Sequence, residues 1–256
     1  MNMIKTNNRI AWITGGGTGI GKELAFLLSD NNYKVIVSGR RKEKLIETIK
    51  YNKKKIFSYP MDVSNQKDCE NVSKKILKEF GSIDLLILNA AVYSPGTIKN
   101  FKSSEAKKII DINLLGALYC LSPVIKFMKL KKLGHLVFIS SPAGYQGLPG
   151  GGFYGMTKSA LTFLAETLRM ELGDFGIKVQ VVNPGFVKTA MTDKNPFFMP
   201  FLMTPKLAAQ KIFKKLSSNN FEIFFPKKLI LPMKLFKFLP YQLYFFLMKK
   251  FIKVPK

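Results

Sequence analysis

Acidic residues are scarce in this chain of 256 residues: 16 against 41 lysines and arginines, a formal net charge of +25. Histidine is scarcer, with one, and there are two cysteines. So few ligands, none at metal-binding spacing, exclude a recognisable zinc or iron–sulfur centre, and no metal is expected. Cys69 and Cys120 lie far apart in sequence and form no CxxC, which fits reduced thiols in a cytoplasmic protein and not a disulfide scaffold. Long hydrophobic runs are missing too. The longest charge-free run, 133–157, is broken by seven glycines and two prolines, and the uncharged run 238–248 is too short to span a bilayer. The start, "MNMIKTNNRIAW", has no signal-peptide apolar region with a cleavage site.

What is present is 47% hydrophobic residues, enough for a large core and too many for disorder. The excess positive charge suggests an anionic partner: a cofactor, a phospholipid surface or nucleic acid. Most of it is lysine scattered along helical patterns, as in "RRKEKLIETIKYNKKK". No nucleic-acid module or aromatic-basic stacking stretch accompanies it, so no nucleic-acid partner is expected.

Short apolar runs alternate with amphipathic ones. "RIAWIT", "KVIVSG", "KIFSYP", "DLLILNA", "HLVFIS" and "KVQVVNPG" read as strands, and "FEIFFP" could add a seventh. Helical patterns lie between them, including a stretch over about 103–133 and the long "YGMTKSALTFLAETLRMELGDFG". Strands apolar on both faces, alternating with helices, predict an α/β fold. It is a Rossmann-type doubly wound parallel sheet of about seven strands with helices on both faces. Residues 1–225 make this domain, and 226–256 form a helical, basic C-terminal extension.

The first strand runs into "TGGGTGIG", residues 14–21, and then a helix. Glycines here permit a tight turn and let a pyrophosphate approach the backbone, while the helix start offers free N–H groups. The loop makes Thr14, Gly15, Gly17, Thr18, Gly19, Ile20 and Gly21 candidate dinucleotide contacts; the other reading is an ordinary glycine-rich turn. The second strand ends at Gly39, Arg40 and Arg41, with no acidic residue to receive a ribose 2′-hydroxyl. A guanidinium matches the 2′-phosphate of NADP, so NADP is favoured over NAD; the alternative is two solvated residues opening the next helix.

Tyr154 and Lys158 are four apart at the start of the long helix and so share a face. A phenol of ordinary pKa near 10 is a poor acid or base at neutral pH, and a lysine cation beside it would lower that value. Alone, such a pair is more often a tyrosine stacked on a lysine stem. Here Ser141 ends a strand thirteen residues upstream, and strand ends, helix starts and the glycine loop share one edge of a parallel sheet.

With these motifs in this order, over about residues 9–225, the chain resembles the classical short-chain dehydrogenase/reductase family. The pattern includes Thr14–Gly15 with Gly19 and Gly21, Asp62–Val63 in "MDVS", Asn89–Ala90–Ala91, Asn113 in "DINLLG", Ser141, Tyr154, Lys158, and "NPGFVKT". The resemblance implies carbonyl/alcohol interconversion by hydride transfer. Tyr154 would be the acid or base and Ser141 would hold the substrate oxygen. Lys158 would bond the nicotinamide ribose, and Asn113 would hold a water linking Lys158 to solvent. Asp62 and Val63 would contact adenine, and Asn89, Ala90 and Ala91 would line the cofactor. Pro184, Gly185, Val187 and Thr189 would wrap its nicotinamide end. Ser140 competes with Ser141, but the spacing favours the latter. Arg40 matches the family position that marks NADP use. Val92 stands where glycine is usual, and Thr18 where some NADP enzymes carry a second basic residue. A homo-oligomer is the family expectation.

Beyond "NPGFVKT", the family's lid segment carries Phe197, Phe198, Met199, Phe201, Leu202 and Met203, suggesting an apolar pocket wall or a lipid-facing surface; a small helix packed on the domain is the alternative. A hydrophobic, lipid-like carbonyl or alcohol is the expected substrate. In the tail, at about 100° per residue, Gln242, Lys249, Lys250 and Lys253 share one arc with Phe246. Leu243, Tyr244, Leu247, Met248, Phe251 and Ile252 face the other way. This amphipathic basic helix would dock on an anionic membrane surface as a peripheral contact, on its own domain or a second subunit, or on a protein partner. His135 has no second ligand nearby and is read as structural.

Overall fold

The computed structural model describes residues 9–94, 102–195 and 197–251, with the side chains of residues 194 and 251 outside that description. Seven parallel strands form one sheet: β1 (Arg9–Thr14), β2 (Tyr33–Gly39), β3 (Ile56–Pro60), β4 (Leu85–Leu88), β5 (Gly134–Ile139), β6 (Ile177–Pro184) and β7 (Glu222–Phe225). Their order is β3-β2-β1-β4-β5-β6-β7, so the chain reverses its direction of growth between β1 and β4. "FEIFFP" does supply the seventh strand, pairing with β6 in parallel.

The alternation of side chains along β1 explains the double covering. Ile10 and Trp12 enter one core with Ile36, Phe138 and Val179. Ala11 and Ile13 enter the other with Val35, Val37 and Val182. The first core is closed by α3 (Gln66–Phe80), α5 (Gly116–Lys131) and α6 (Gly152–Glu171), and the second by α1 (Gly19–Asp30), α2 (Lys42–Ile49) and α7 (Pro205–Leu216). Helix α7 is absent from the sequence expectation. Its start is well specified: Thr204 accepts a hydrogen bond from the Leu207 N–H, and Pro205 sits in the first turn.

The helical stretch expected over about 103–133 is divided: α4 (Ser103–Ile110), a π-helical turn (Asp111–Leu115), then α5. Ser103–Lys131 is long and apolar enough to cross a bilayer, with a hydropathy of 1.5. Yet Cys120, Val124 and Met128 are buried in the first core, the behaviour of a core helix. The two cysteines, distant in sequence, share that core, and the nearby Cys69 thiol together with burial pushes the Cys120 thiol well up. Beyond β7 the chain forms α8 (Lys227–Phe236) and α9 (Tyr241–Phe251).

Candidate active site

Because all strands are parallel, the glycine loop after β1, the loop after β4, Ser141 after β5 and "NPG" at the end of β6 open on the same edge, around the β1/β4 switch point. The glycine loop fits there with no spare room. Gly15 has φ +69°, and a Cβ on it would lie 2.9 Å from the Ala90 Cα. A Cβ on Gly21 would lie 2.5 Å from the Gly15 carbonyl oxygen, and one on Gly17 3.1 Å from the Lys44 Cβ. Thr14 and Asn89 lock the loop to β4. The Thr14 Oγ1 accepts from the N–H groups of Asn89 (3.0 Å) and Ala90 (3.1 Å), while the Asn89 amide donates to the carbonyls of Thr14 and Gly15, both at 3.0 Å. Helix α1 starts after Thr18, whose side chain does not cap it, and has no acidic residue in its first turn. That leaves a positive helix end facing the loop, a cradle for a pyrophosphate. Ile20 anchors this end by packing on the second core.

At the adenine end, the two arginines diverge. The Arg41 guanidinium donates to the Thr18 hydroxyl at 3.3 Å, and Arg40 reaches to 4.0 Å from the Asp62 carboxylate. Thr18, where a second basic residue might have stood, therefore holds Arg41 against the glycine loop. Asp62 itself accepts from the Ser64 N–H and hydroxyl, closing a turn that sets Val63 against Gly116.

Ser141, Tyr154 and Lys158 come together. The Ser141 hydroxyl accepts from the Ala143 N–H at 3.2 Å and lies close enough to Tyr154 to act on its phenol. The Lys158 ammonium lies 5.5 Å from the Tyr154 ring centroid, buried, and donates to the Ile139 carbonyl at 2.7 Å. Ser140 points the other way: its hydroxyl donates to the Lys158 carbonyl at 2.9 Å and meets Thr162 at 3.0 Å, fastening α6 to β5. The choice of Ser141 over Ser140 thus has a geometric basis.

The expected lowering of the tyrosine pKa by lysine does not appear in this arrangement. Burial pushes the Tyr154 phenol up to about 12, opposed by the nearby Ser141 hydroxyl and aided by Tyr93. Burial also lowers Lys158 to about 8. With its ammonium engaged by the Ile139 carbonyl, Lys158 does not offset the desolvation of the phenol. Tyr154 is accordingly a protonated phenol at neutral pH.

Asn113 sits in the π-helical turn, a distortion frequent at functional sites. Its amide is engaged at both ends by Val92, accepting from the N–H at 2.7 Å and donating to the carbonyl at 2.9 Å, with a third contact to Thr157 at 3.3 Å. It clamps the segment after Ala90 and Ala91. That clamp carries Tyr93, whose ring meets Tyr154 edge-on at 5.1 Å. Tyr93 and Thr157 were not singled out in the sequence, where neither belongs to a spaced motif.

On the far side, Pro184 ends β6 and the Gly185 N–H donates to the Phe225 carbonyl at 2.7 Å. A Cβ on Gly185 would meet Pro226 at 2.8 Å and Leu229 at 3.1 Å, so this glycine lets the C-terminal extension pack against the site. Val187 bridges to Met203, which pins both ends of the apolar segment between them. Thr192 accepts from the Thr189 N–H and donates to the Val187 carbonyl. A Cβ on Gly19 would come within 3.2 Å of the Thr189 methyl, so the glycine loop and this segment face each other. Phe197, Phe198, Phe201 and Leu202 are exposed, not packed on the domain as a buried helix.

Glu222, unremarked in the sequence, is the hub of this wall. Its carboxylate accepts from the Tyr145 hydroxyl, the Asn183 amide (2.7 Å) and the Lys234 ammonium of α8. Tyr244 of α9 donates to the Gly147 carbonyl at 2.6 Å. The tail therefore docks on its own domain, over the loop that follows Ser141. The apolar arc expected of α9 does so only through Tyr244, Met248 and half-buried Leu247; Leu243 is exposed. Lys253, Ile252 and the side chain of Phe251 lie outside the described residues. His135 bonds Gln180 and is kept neutral by burial, and among the described residues no cluster could hold a metal.

The sheet order and the glycine cradle at its switch point define a Rossmann-type α/β protein. A family model described as short chain dehydrogenase matches residues 9–197. A relative in Myxococcus xanthus, called an uncharacterized oxidoreductase, is 33% identical over 245 residues, 94% of this chain and 97% of its own. Another in Listeria monocytogenes is 33% identical over 191 residues, 73% of this chain and 77% of its own. Among solved structures, ElxO with NADP bound is 30% identical, with a TM-score of 0.76 over 84% of this chain and 97% of that one. The chain belongs to the short-chain dehydrogenase family, and it is an oxidoreductase acting on CH–OH donors with NAD(P).

Proposed function

We propose that this protein is an NADP-dependent oxidoreductase that interconverts a hydrophobic carbonyl and its alcohol, working chiefly as a reductase. The observation that carries the reading is the convergence of Ser141, Tyr154 and Lys158 on the same sheet edge as the glycine cradle. NADPH, when bound, supplies the hydride. The chain's own groups do the rest. Ser141 donates to the substrate oxygen and orients it. Tyr154, protonated through the neutral range, gives its proton to that oxygen as it becomes an alcohol, and solvent restores it. Lys158 holds positive charge behind the phenolate that forms, and Asn113 keeps the Val92–Tyr93 segment against Tyr154. Arg40 and Arg41 sit where a 2′-phosphate would be received, and a 30% identical structure has NADP bound; both support NADP over NAD.

The exposed Phe197, Phe198, Phe201 and Leu202 and the apolar tail support a lipid-like substrate. On this reading the enzyme is a cytoplasmic homo-oligomer that touches an anionic membrane surface through its C-terminal extension. The test is cofactor oxidation over a series of carbonyls of graded chain length. NADPH should outperform NADH and long chains should outperform short polar ones. Turnover confined to short polar carbonyls, or a preference for NADH, would overturn it.

A further inference from the structure

We infer that the outer face of α8 and α9 is a preformed docking surface for an anionic phospholipid bilayer, and that a cleft at its root opens from that surface onto the loop behind Ser141. The first half rests on the membrane contact proposed above and the second on the lipid-like substrate.

The two helices are fastened to the domain. Ile230, Tyr244 and Met248 are buried, Lys234 bonds Glu222, and Tyr244 bonds the Gly147 carbonyl. With that docking complete, Leu235, Phe238, Tyr241, Phe245 and Phe246 still face outward, Phe238 at 83% exposure and Phe246 at 62%. At about 100° per residue, Phe246, Lys249 and Lys250 lie opposite Tyr244 and Met248, and Leu235 lies with Lys228 opposite Ile230. No acidic residue follows Glu222. Aromatic and leucine side chains interleaved with lysines, without a carboxylate, match a headgroup layer that accepts rings at its boundary and attracts cations. A second copy of the chain fits poorly, because a two-fold contact on this face would set lysines against lysines.

The cleft, of about 490 Å³, lies between Tyr145 and Gln146 on one side and residues 237–241 on the other. Phe238 and Tyr241 belong both to the outer face and to the cleft wall, and Tyr145 follows Ser141 by four positions. The Gln146 Oε1 is buried beside it without a hydrogen-bond partner in the protein. That volume falls in the range of ligand sites.

The experiment is co-sedimentation of the full chain with vesicles of phosphatidylcholine alone or mixed with phosphatidylglycerol, at low and high salt. The comparison includes F245S/F246S and K249E/K250E variants, with melting temperature as the check on folding. The wild type should bind the anionic vesicles only. The aromatic variant should lose at least about tenfold, and each lysine change should cost about fivefold or more. Turnover of a long-chain carbonyl carried in the vesicles should fall with the aromatic variant while a short soluble carbonyl is unaffected. Equal binding to neutral vesicles, no binding, or an aromatic variant that binds like the wild type overturns the docking surface. So does a dimer that this variant converts to monomer, which would assign the face to a second copy. Vesicle binding that holds while neither carbonyl is turned over supports the docking surface and refutes the proposed carbonyl reduction instead.

Discussion

Glu222→Gln tests how the C-terminal extension is joined to the catalytic edge. Three donors converge on this carboxylate from three segments: Tyr145 from the loop after Ser141, Asn183 from the end of β6, and Lys234 from α8. The Glu222 side chain is only 18% exposed. Tyr145 and Asn183 share one carboxylate oxygen, which the glutamine carbonyl can reproduce without its charge, while Lys234 alone uses the other and loses its acceptor. Lys234 is partly exposed and can turn to water at little cost. Tyr145 and Asn183 keep an acceptor but lose charge assistance, about 1–1.5 kcal/mol per bond. Over the two bonds this gives about 2–3 kcal/mol, or roughly 4–10 °C in melting temperature for a chain of this size. Burial works to raise the Glu222 pKa, but its bonds to Lys234, Tyr145 and Asn183 outweigh this and hold it below the ordinary 4.5. Its stabilisation is therefore full above that value and lost as pH falls through the lower folded one. The gap between wild type and variant should narrow on acidification. Denaturant melts at neutral and acid pH, with hydrogen exchange over 227–250, measure it. A loss below about 0.5 kcal/mol, or a loss that leaves exchange in the extension unchanged, would refute the reasoning.

Replacing Arg40 and Arg41 by alanine should weaken NADPH about tenfold to a hundredfold by titration and leave NADH nearly unchanged, because one charge-assisted bond is worth about 1.5–3 kcal/mol; equal weakening of both cofactors would contradict the assignment. With Tyr154 protonated well above neutrality, reduction should be flat over about pH 6 to 8 and alcohol oxidation should climb about tenfold per unit. Burial lowers Lys158 from 10.5 to about 8, so in that window the unfolded chain binds the extra proton. Wild-type stability should rise with pH there relative to Lys158→Met, as urea melts would report.

The sheet was legible because each strand is apolar on both faces and flanked by turn chemistry. Even β7 could be read from "FEIFFP". Helix α7 is less legible, because its Thr204–Pro205 start follows directly on an apolar segment with no polar turn between them. Motif spacing found the glycine cradle and chose Ser141, and the structure adds why Ser140 is unsuitable: it is occupied inside the α6–β5 joint. Spacing could not foresee that Asn113 clamps Val92, that Tyr93 lies against Tyr154, or that Cys69 and Cys120 share one core, because each depends on contacts between distant segments. The same holds for the tail. Its helical period was readable, but which part of its apolar surface would be covered depended on Glu222 and Gly147, neither of which belongs to a motif.

The central claim is that the Tyr154 hydroxyl carries the proton transferred to a carbonyl. Tyr154→Phe removes that oxygen and leaves the ring in contact with Tyr93 and beneath Lys158. NADPH binding, followed by cofactor fluorescence, should change by no more than about twofold, while single-turnover NADPH oxidation with a carbonyl substrate should fall by about 10²–10⁴. Oxidation at the wild-type rate in this variant would contradict the account.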